Sequence, residues 1–186
     1  MFNVAVLVAL VGVAASQSCP SGIPASEVND FLSQHNTLRS KISSGNYAVG
    51  GRKMPAAKTP IPALTWDCDL EQEAQQWADQ CVFQHSQVDG EGENLYMMWS
   101  SRKASVTGQA KAASQAWEKE FQQYGWRSPK FDMNAFQMGH ATQMAWAKST
   151  QLGCGMAMCQ GGQEVLVVCR YKDAGNWMGE NIYDPK

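Results

Sequence analysis

Histidine is scarce in this chain, three residues in 186, and the Asn-x-Ser/Thr sequon is absent. The first confines imidazole chemistry to His35, His85 and His140. The second removes N-glycosylation from consideration. No serine stands in a Gly-x-Ser-x-Gly elbow, and no histidine pair has the His-Glu-x-x-His spacing of a helical zinc site. Charge of either sign is not concentrated. The 15 basic and 17 acidic residues sum to −2 without blocks, which excludes a nucleic-acid or polybasic membrane footprint. Beyond the N-terminus, no segment reaches the ~18 uninterrupted apolar residues of a transmembrane helix.

What is present starts with a short apolar run from Val4 to Ala15. It is too short to span a bilayer and ends in small residues, with Val13 and Ala15 at the −3 and −1 positions of a cleavage site. Its only preceding positive charge is the amino terminus. The pattern predicts a secretory signal over residues 1–18, cut near residues 15–18. Residues 19–186 then form one secreted domain, a size that supports a sizeable core. All six cysteines, Cys19, Cys68, Cys81, Cys154, Cys159 and Cys169, follow the signal. An even number in an oxidising compartment favours three disulfides and no free thiol. A zinc site on Cys154-x4-Cys159 competes with that reading, but intact pairs also account for the other four.

Apolar residues at Val28, Phe31, Leu32, Leu38 and Ile42 predict an amphipathic helix N-capped by Ser26 and ending near Gly45. Residues 46–65 are rich in Gly and Pro and read as a long loop. A second helix, capped by Asp67 or Asp69, presents Leu70, Ala74, Trp77, Ala78 and Cys81. A third, from about Thr107 to Gln123, buries Ala110, Ala113, Trp117, Phe121 and Tyr124. A shorter one covers about Met138 to Ala147. Two strands, Leu152–Met158 and Val165–Tyr171, flank a glycine-bearing loop and predict a hairpin. Helices followed by strands indicate an α+β fold with helices packed on an antiparallel sheet.

Each histidine has a bland and a sharp reading. His35, between Leu32 and Leu38 on an apolar helix face, is expected to be a satisfied core residue. His85 precedes Glu93 by eight residues, and the intervening Gly90 and Gly92 allow the chain to fold back so that the two face each other. His140 opens the fourth helix, where it can act as a neutral acceptor or a metal ligand. Glu120 lies one turn from Trp117 on the core side of the third helix, so it needs a partner. The stretch Gly-Glu-Asn occurs at 92–94 and again at 179–181. No histidine lies near the second copy, so Glu180 is expected to be a solvated or capping carboxylate.

The motifs GHATQMAW (139–146) with LGCG (152–155), and LVVCRYKDAGNW (166–177), resemble the two signatures of the CAP superfamily of cysteine-rich secretory, antigen 5 and pathogenesis-related proteins. HNTLR (35–39), HS…GENL (85–95) and AWEKE (116–120) match further blocks in order. The CPSGI start is most similar to single-domain, ASP-type secreted proteins of nematodes. The resemblance implies an α-β-α sandwich with a central antiparallel sheet. It also implies a cleft lined by His85, Glu93, Glu120 and His140, in which the two imidazoles hold a divalent cation, zinc above all, weakly or conditionally. The implied disulfides are Cys154–Cys169, Cys81–Cys159 and Cys19–Cys68. The implied role is a non-enzymatic extracellular binding or effector module. An extracellular protein, or a sterol or other lipid, is the implied partner, and the 46–65 loop and Met97-Met98-Trp99 are candidate contact surfaces. Sterol or lipid binding and metal-dependent hydrolysis remain as alternatives.

Overall fold

A computed structural model of the chain describes Cys19 and residues 22–186. The expected signal segment, residues 1–18, lies outside the described residues. The elements run α1 (Ala25–Ser43), β1 (Ala48–Val49), β2 (Arg52–Lys53), β3 (Thr65–Trp66), α2 (Cys68–Ala78), β4 (Gly92–Trp99) and α3 (Gln109–Tyr124). A 3-10 turn at Phe136–Met138 leads into α4 (Gly139–Ala145), and β5 (Gln151–Cys159) and β6 (Glu164–Lys172), joined by a second at Gln160–Gly162, complete the fold. The main sheet has the order β3-β5-β6-β4. Its β5–β6 and β4–β6 pairs are antiparallel, but β3 runs parallel to β5, so the sheet is mixed.

Alternation along β6 sorts the layers. Val165, Val167, Cys169 and Tyr171 join the core that includes α1, α3 and α4, whereas Leu166 and Val168 join Ala74 and Ala78 of α2. Both faces are covered, which is why residues 165–169 form an unbroken apolar run. Helix α2 lies close on β5 because Gly153 and Gly155 carry no side chain there. A Cβ at either would collide with the α2 backbone at Leu70–Glu71 or Ala74–Gln75. Gln75 clasps the same strand, accepting from Met156 N–H and donating to its carbonyl.

The helix caps differ in part from expectation. Asp67 caps α2, accepting from the Asp69 and Leu70 amides at 3.0 Å. Ser26 does not cap α1. The helix begins two residues earlier, behind Pro24, whose carbonyl takes the Glu27 and Val28 amides. Glu27 is thereby placed to reach across to α3, where its buried carboxylate accepts from Gly108 and Ala110 N–H. A side chain of one helix thus caps another, and Gly108 adopts the left-handed conformation at that junction. Tyr124, expected in the α3 stripe, is exposed, because Gly125 ends the helix there.

The Gly- and Pro-rich stretch at 46–65 is packed rather than free. It carries β1, β2 and the start of β3, and buries Tyr47, Val49, Met54, Ala57, Ile61 and Leu64. The stretch 92–99 is a full strand, and of the candidate contact residues Met97, Met98 and Trp99 only Trp99 is exposed. The disulfides are Cys19–Cys68, Cys81–Cys159 and Cys154–Cys169, the pairs that the resemblance implies, and no described cysteine is free for a zinc site. The second ties the chain just before His85 to the sheet.

Candidate functional site

His85, Glu93, Glu120 and His140 line one cavity of about 570 Å3. Four segments meet there: the loop after α2, the start of β4, the fourth turn of α3 and the first turn of α4. Asn94, Gln137 and Asn176 add amides, and Phe131, Phe136 and Met178 form an apolar wall. A volume of this size is in the range of small-molecule or side-chain pockets, roughly 300–1,000 Å3.

The two histidines are held in the same way. His85 Nδ1 lies 2.8 Å from Glu93 Oε1, and His140 Nδ1 lies 2.6 Å from Glu120 Oε1. A carboxylate on Nδ1 selects the Nδ1–H tautomer and leaves the Nε2 lone pair outward. Neither Nε2 has a hydrogen-bond partner among the described residues. The Glu93 contact raises the His85 pKa above its ordinary value, partly offset by burial. Burial pushes the Glu93 carboxyl up, but hydrogen bonds from His85 and Ser86 outweigh it and hold the carboxyl below its usual range.

The supports behind the two pairs differ. Glu120 Oε2 accepts from the His140 and Ala141 amides at the start of α4, each at 3.1 Å. Trp117, one turn before Glu120, lies nearly parallel to the His140 ring with centroids 6.1 Å apart. Ala141 itself is wholly buried and does not line the cavity. Glu93 is instead held by Ser86, whose amide donates to Oε1 at 3.0 Å and whose hydroxyl donates to Oε2 at 2.5 Å. The His85 side chain is 59% exposed and that of His140 35%. One imidazole is built into the helices, and the other is carried on a loop.

His35 stands apart from the cavity. Its Nδ1 donates to the Phe31 carbonyl at 2.7 Å and its Nε2 accepts from the Tyr171 hydroxyl at 2.8 Å. Burial drives its pKa down to about 3, so it is neutral and satisfied in the core. The Tyr171 oxygen accepts in turn from Asn94 Nδ2, which also reaches the His140 carbonyl. Glu180 pairs with Lys148 at 2.8 Å on the surface, away from the cavity. Sequence reasoning missed Ser86, Asn94, Arg170 and the apolar wall. For Arg170 a signal existed: a lone cation inside the run VLVVCRY has to find partners.

As a cation site, the arrangement offers two imidazole nitrogens. Among the described residues there is no group of three or more His, Cys, Asp or Glu side chains able to enclose a metal ion. The donor set therefore fits an open site completed by water or ligand, and does not fit a closed four-ligand structural site.

The model of the cysteine-rich secretory protein family, CAP, matches residues 32–171. Venom allergen 5 of Microctonus hyperodae is 35% identical over 162 residues, covering 82% of this chain and 69% of the relative. The Ancylostoma secreted protein of Ancylostoma caninum is 36% identical over 90% of this chain, which spans only 42% of that longer protein. Among solved structures, BmVAL-1 superposes with a TM-score of 0.86 at 36% identity, covering 91% of this chain and 88% of its own. NaASP2 with Zn2+ superposes at 0.83, also 36% identical, with 91% of each chain covered. The chain belongs to the cysteine-rich secretory protein (CAP) family.

Proposed function

We propose that this chain is an extracellular, non-enzymatic binding module whose cleft holds a divalent cation, zinc above all, between His85 and His140. The observation that carries the reading is the matched pair of carboxylate–imidazole contacts, Glu93–His85 and Glu120–His140, each leaving Nε2 free toward one cavity. Carboxylate contacts of this kind fix the ring orientation and tautomer of a ligating histidine. Bound there, the cation would supply positive charge to an anionic or carbonyl group of a partner. The chain's own residues orient the two rings, and Phe136 and Met178 shelter an apolar part of the partner, protein or lipid. A relative of 36% identity has been crystallised with Zn2+, which supports the choice of metal.

The Ser86 hydroxyl, bound to Glu93, supports a binding role over nucleophilic catalysis. Ser86 Oγ gives its proton to Glu93 Oε2, and the His85 ring meets the other oxygen of the same carboxylate. An activated serine needs the imidazole on its own oxygen, and here Glu93 stands between them. Extracellular residence is supported by three disulfides and by the relatives' descriptions as secreted proteins and venom allergens. It is also consistent with the described residues containing no helix long and apolar enough to cross a membrane. On this reading residues 1–18 are a leader, and N-terminal sequencing of the secreted protein finds a start between residues 16 and 19.

Calorimetric zinc titration tests the cation site. The wild type shows saturable binding of one ion, and His85→Ala/His140→Ala shows none. Indistinguishable, non-saturating heats for the two proteins would remove the site.

A further inference from the structure

Arg170 sits on the α2 side of β6, directly across the ladder from Glu93 of β4. Its side chain is only 7% exposed, so its charge must be met inside the protein. Three carboxylates converge on it: Glu73 of α2 at 2.8 Å, Glu91 at 3.4 Å, and Glu93, whose Oε2 lies 3.6 Å from Nε. That last distance is an ion pair without a hydrogen bond, and Ser86 bridges it. The Ser86 hydroxyl accepts from Arg170 Nη2 at 3.1 Å and donates to Glu93 Oε2. One guanidinium thus grips α2, the 85–91 loop and β4 at the point where the loop carries His85.

We propose that Arg170 is the positioning residue of the loop side of the cleft, fixing Glu93 and Ser86 so that His85 presents Nε2 toward His140. The asymmetry of the site is the reason it is needed. His140 takes its orientation from helix amides and the Trp117 ring. His85 has no such frame, and its one ring hydrogen bond among the described residues is to the carboxylate that Arg170 and Ser86 hold. Without the guanidinium, Glu73, Glu91 and Glu93 face one another unneutralised. Repulsion then drives Glu93 from its place, and the loop loses its tie to β6. The zinc consequence rests on the proposed cation site, but the effect on His85 does not.

Two measurements on Arg170→Met and Arg170→Lys separate these levels. The first is the imidazole 15N spectrum of the metal-free protein, at a pH where His85 is neutral. In the wild type His85 shows protonated Nδ1 and bare Nε2. In Arg170→Met it moves toward the tautomer mixture of a free imidazole while the His140 signals stay in place. The unchanged His140 signals report that the fold is intact, and if Arg170→Met does not fold, Arg170→Lys carries the same comparison with a smaller shift. The second is zinc affinity, which falls about ten- to a hundred-fold in Arg170→Met, as for loss of other ligand-orienting groups. In a Glu93→Gln background the same substitution adds little, because Arg170 acts through Glu93. His85 signals unchanged in both Arg170 variants would overturn the inference, as would a zinc loss equally large with and without Glu93. Absence of zinc binding to the wild type would sink the cation site alone, and the His85 spectrum would still decide the role of Arg170.

Discussion

Replacing Arg39 with methionine tests a charge buried almost completely in the core. Arg39 lies on α1, is 1% exposed, and has no carboxylate partner among the described residues. Its guanidinium donates instead to four carbonyls: Pro62 at 2.7 Å, Met144 at 3.1 Å, Trp146 at 3.0 Å and Ser149 at 2.7 Å. Two of these belong to the C-terminal end of α4, where the helix dipole favours a cation. Burial lowers the Arg39 pKa to about 10, so the side chain is charged at neutral pH. Methionine removes the cost of burying that charge but orphans the carbonyls of Pro62, Met144 and Ser149 at about 1–3 kcal/mol each, while the Trp146 carbonyl keeps the Ser149 amide. Partial offset by the recovered desolvation leaves a net loss of about 3–5 kcal/mol. For a chain of this length that corresponds to a Tm lower by roughly 6–20 °C. Urea denaturation of the oxidised protein gives the number directly. Arg39→Lys, which keeps the charge but reaches fewer carbonyls, falls between the two. A loss below about 1 kcal/mol for Arg39→Met would show that water or backbone adjustment satisfies the carbonyls, and would refute the reasoning.

Two further predictions follow from the histidines. His35 has a folded-state pKa of about 3 against an ordinary 6.5, so the unfolded chain binds the extra proton over that interval. Stability is fully present above pH 6.5 and falls as pH drops toward 3, by up to about 1.4 kcal/mol per pH unit from this group. His35→Gln, measured by denaturant midpoint against pH, removes that part of the slope, and an unchanged slope would count against it. At the cleft, protons compete with zinc for Nε2, and the raised pKa of His85 extends that competition above pH 6.5. Zinc affinity accordingly rises with pH through the His85 pKa and then levels. In Glu93→Gln the inflection moves down toward 6.5, and an inflection that stayed in place would mean Glu93 does not set the imidazole's basicity.

The parts of this fold that were legible are those where one physical signal dominates. Spacing of apolar residues locates α1, α2 and α3, and the apolar runs locate β5 and β6, because each packs on a continuous hydrophobic layer. Strand β4 was not legible. It begins at the cleft with Glu93 and Asn94 and continues along the sheet edge, so polar residues that serve the site break its alternation. The packed 46–65 segment was hidden by its own glycines and prolines, whose composition reports turns and not the burial of Tyr47, Met54, Ile61 and Leu64 between them. At the site, Glu120 was accessible from helix geometry alone, since its turn of α3 faces inward beside Trp117. His85 and Glu93 were drawn together by the family resemblance more than by spacing. Arg170 and Ser86 were missed because their link to the site runs across the β4–β6 ladder and through partners distant in sequence.

Zinc-edge anomalous diffraction from crystals soaked in Zn2+ tests the central claim most directly. The account predicts one peak in the cleft, about 2.0–2.1 Å from the Nε2 atoms of both His85 and His140, with both Nδ1 atoms still on Glu93 and Glu120. A peak bound to the carboxylates instead of the imidazoles, or a cleft without anomalous signal at saturating zinc, would contradict it.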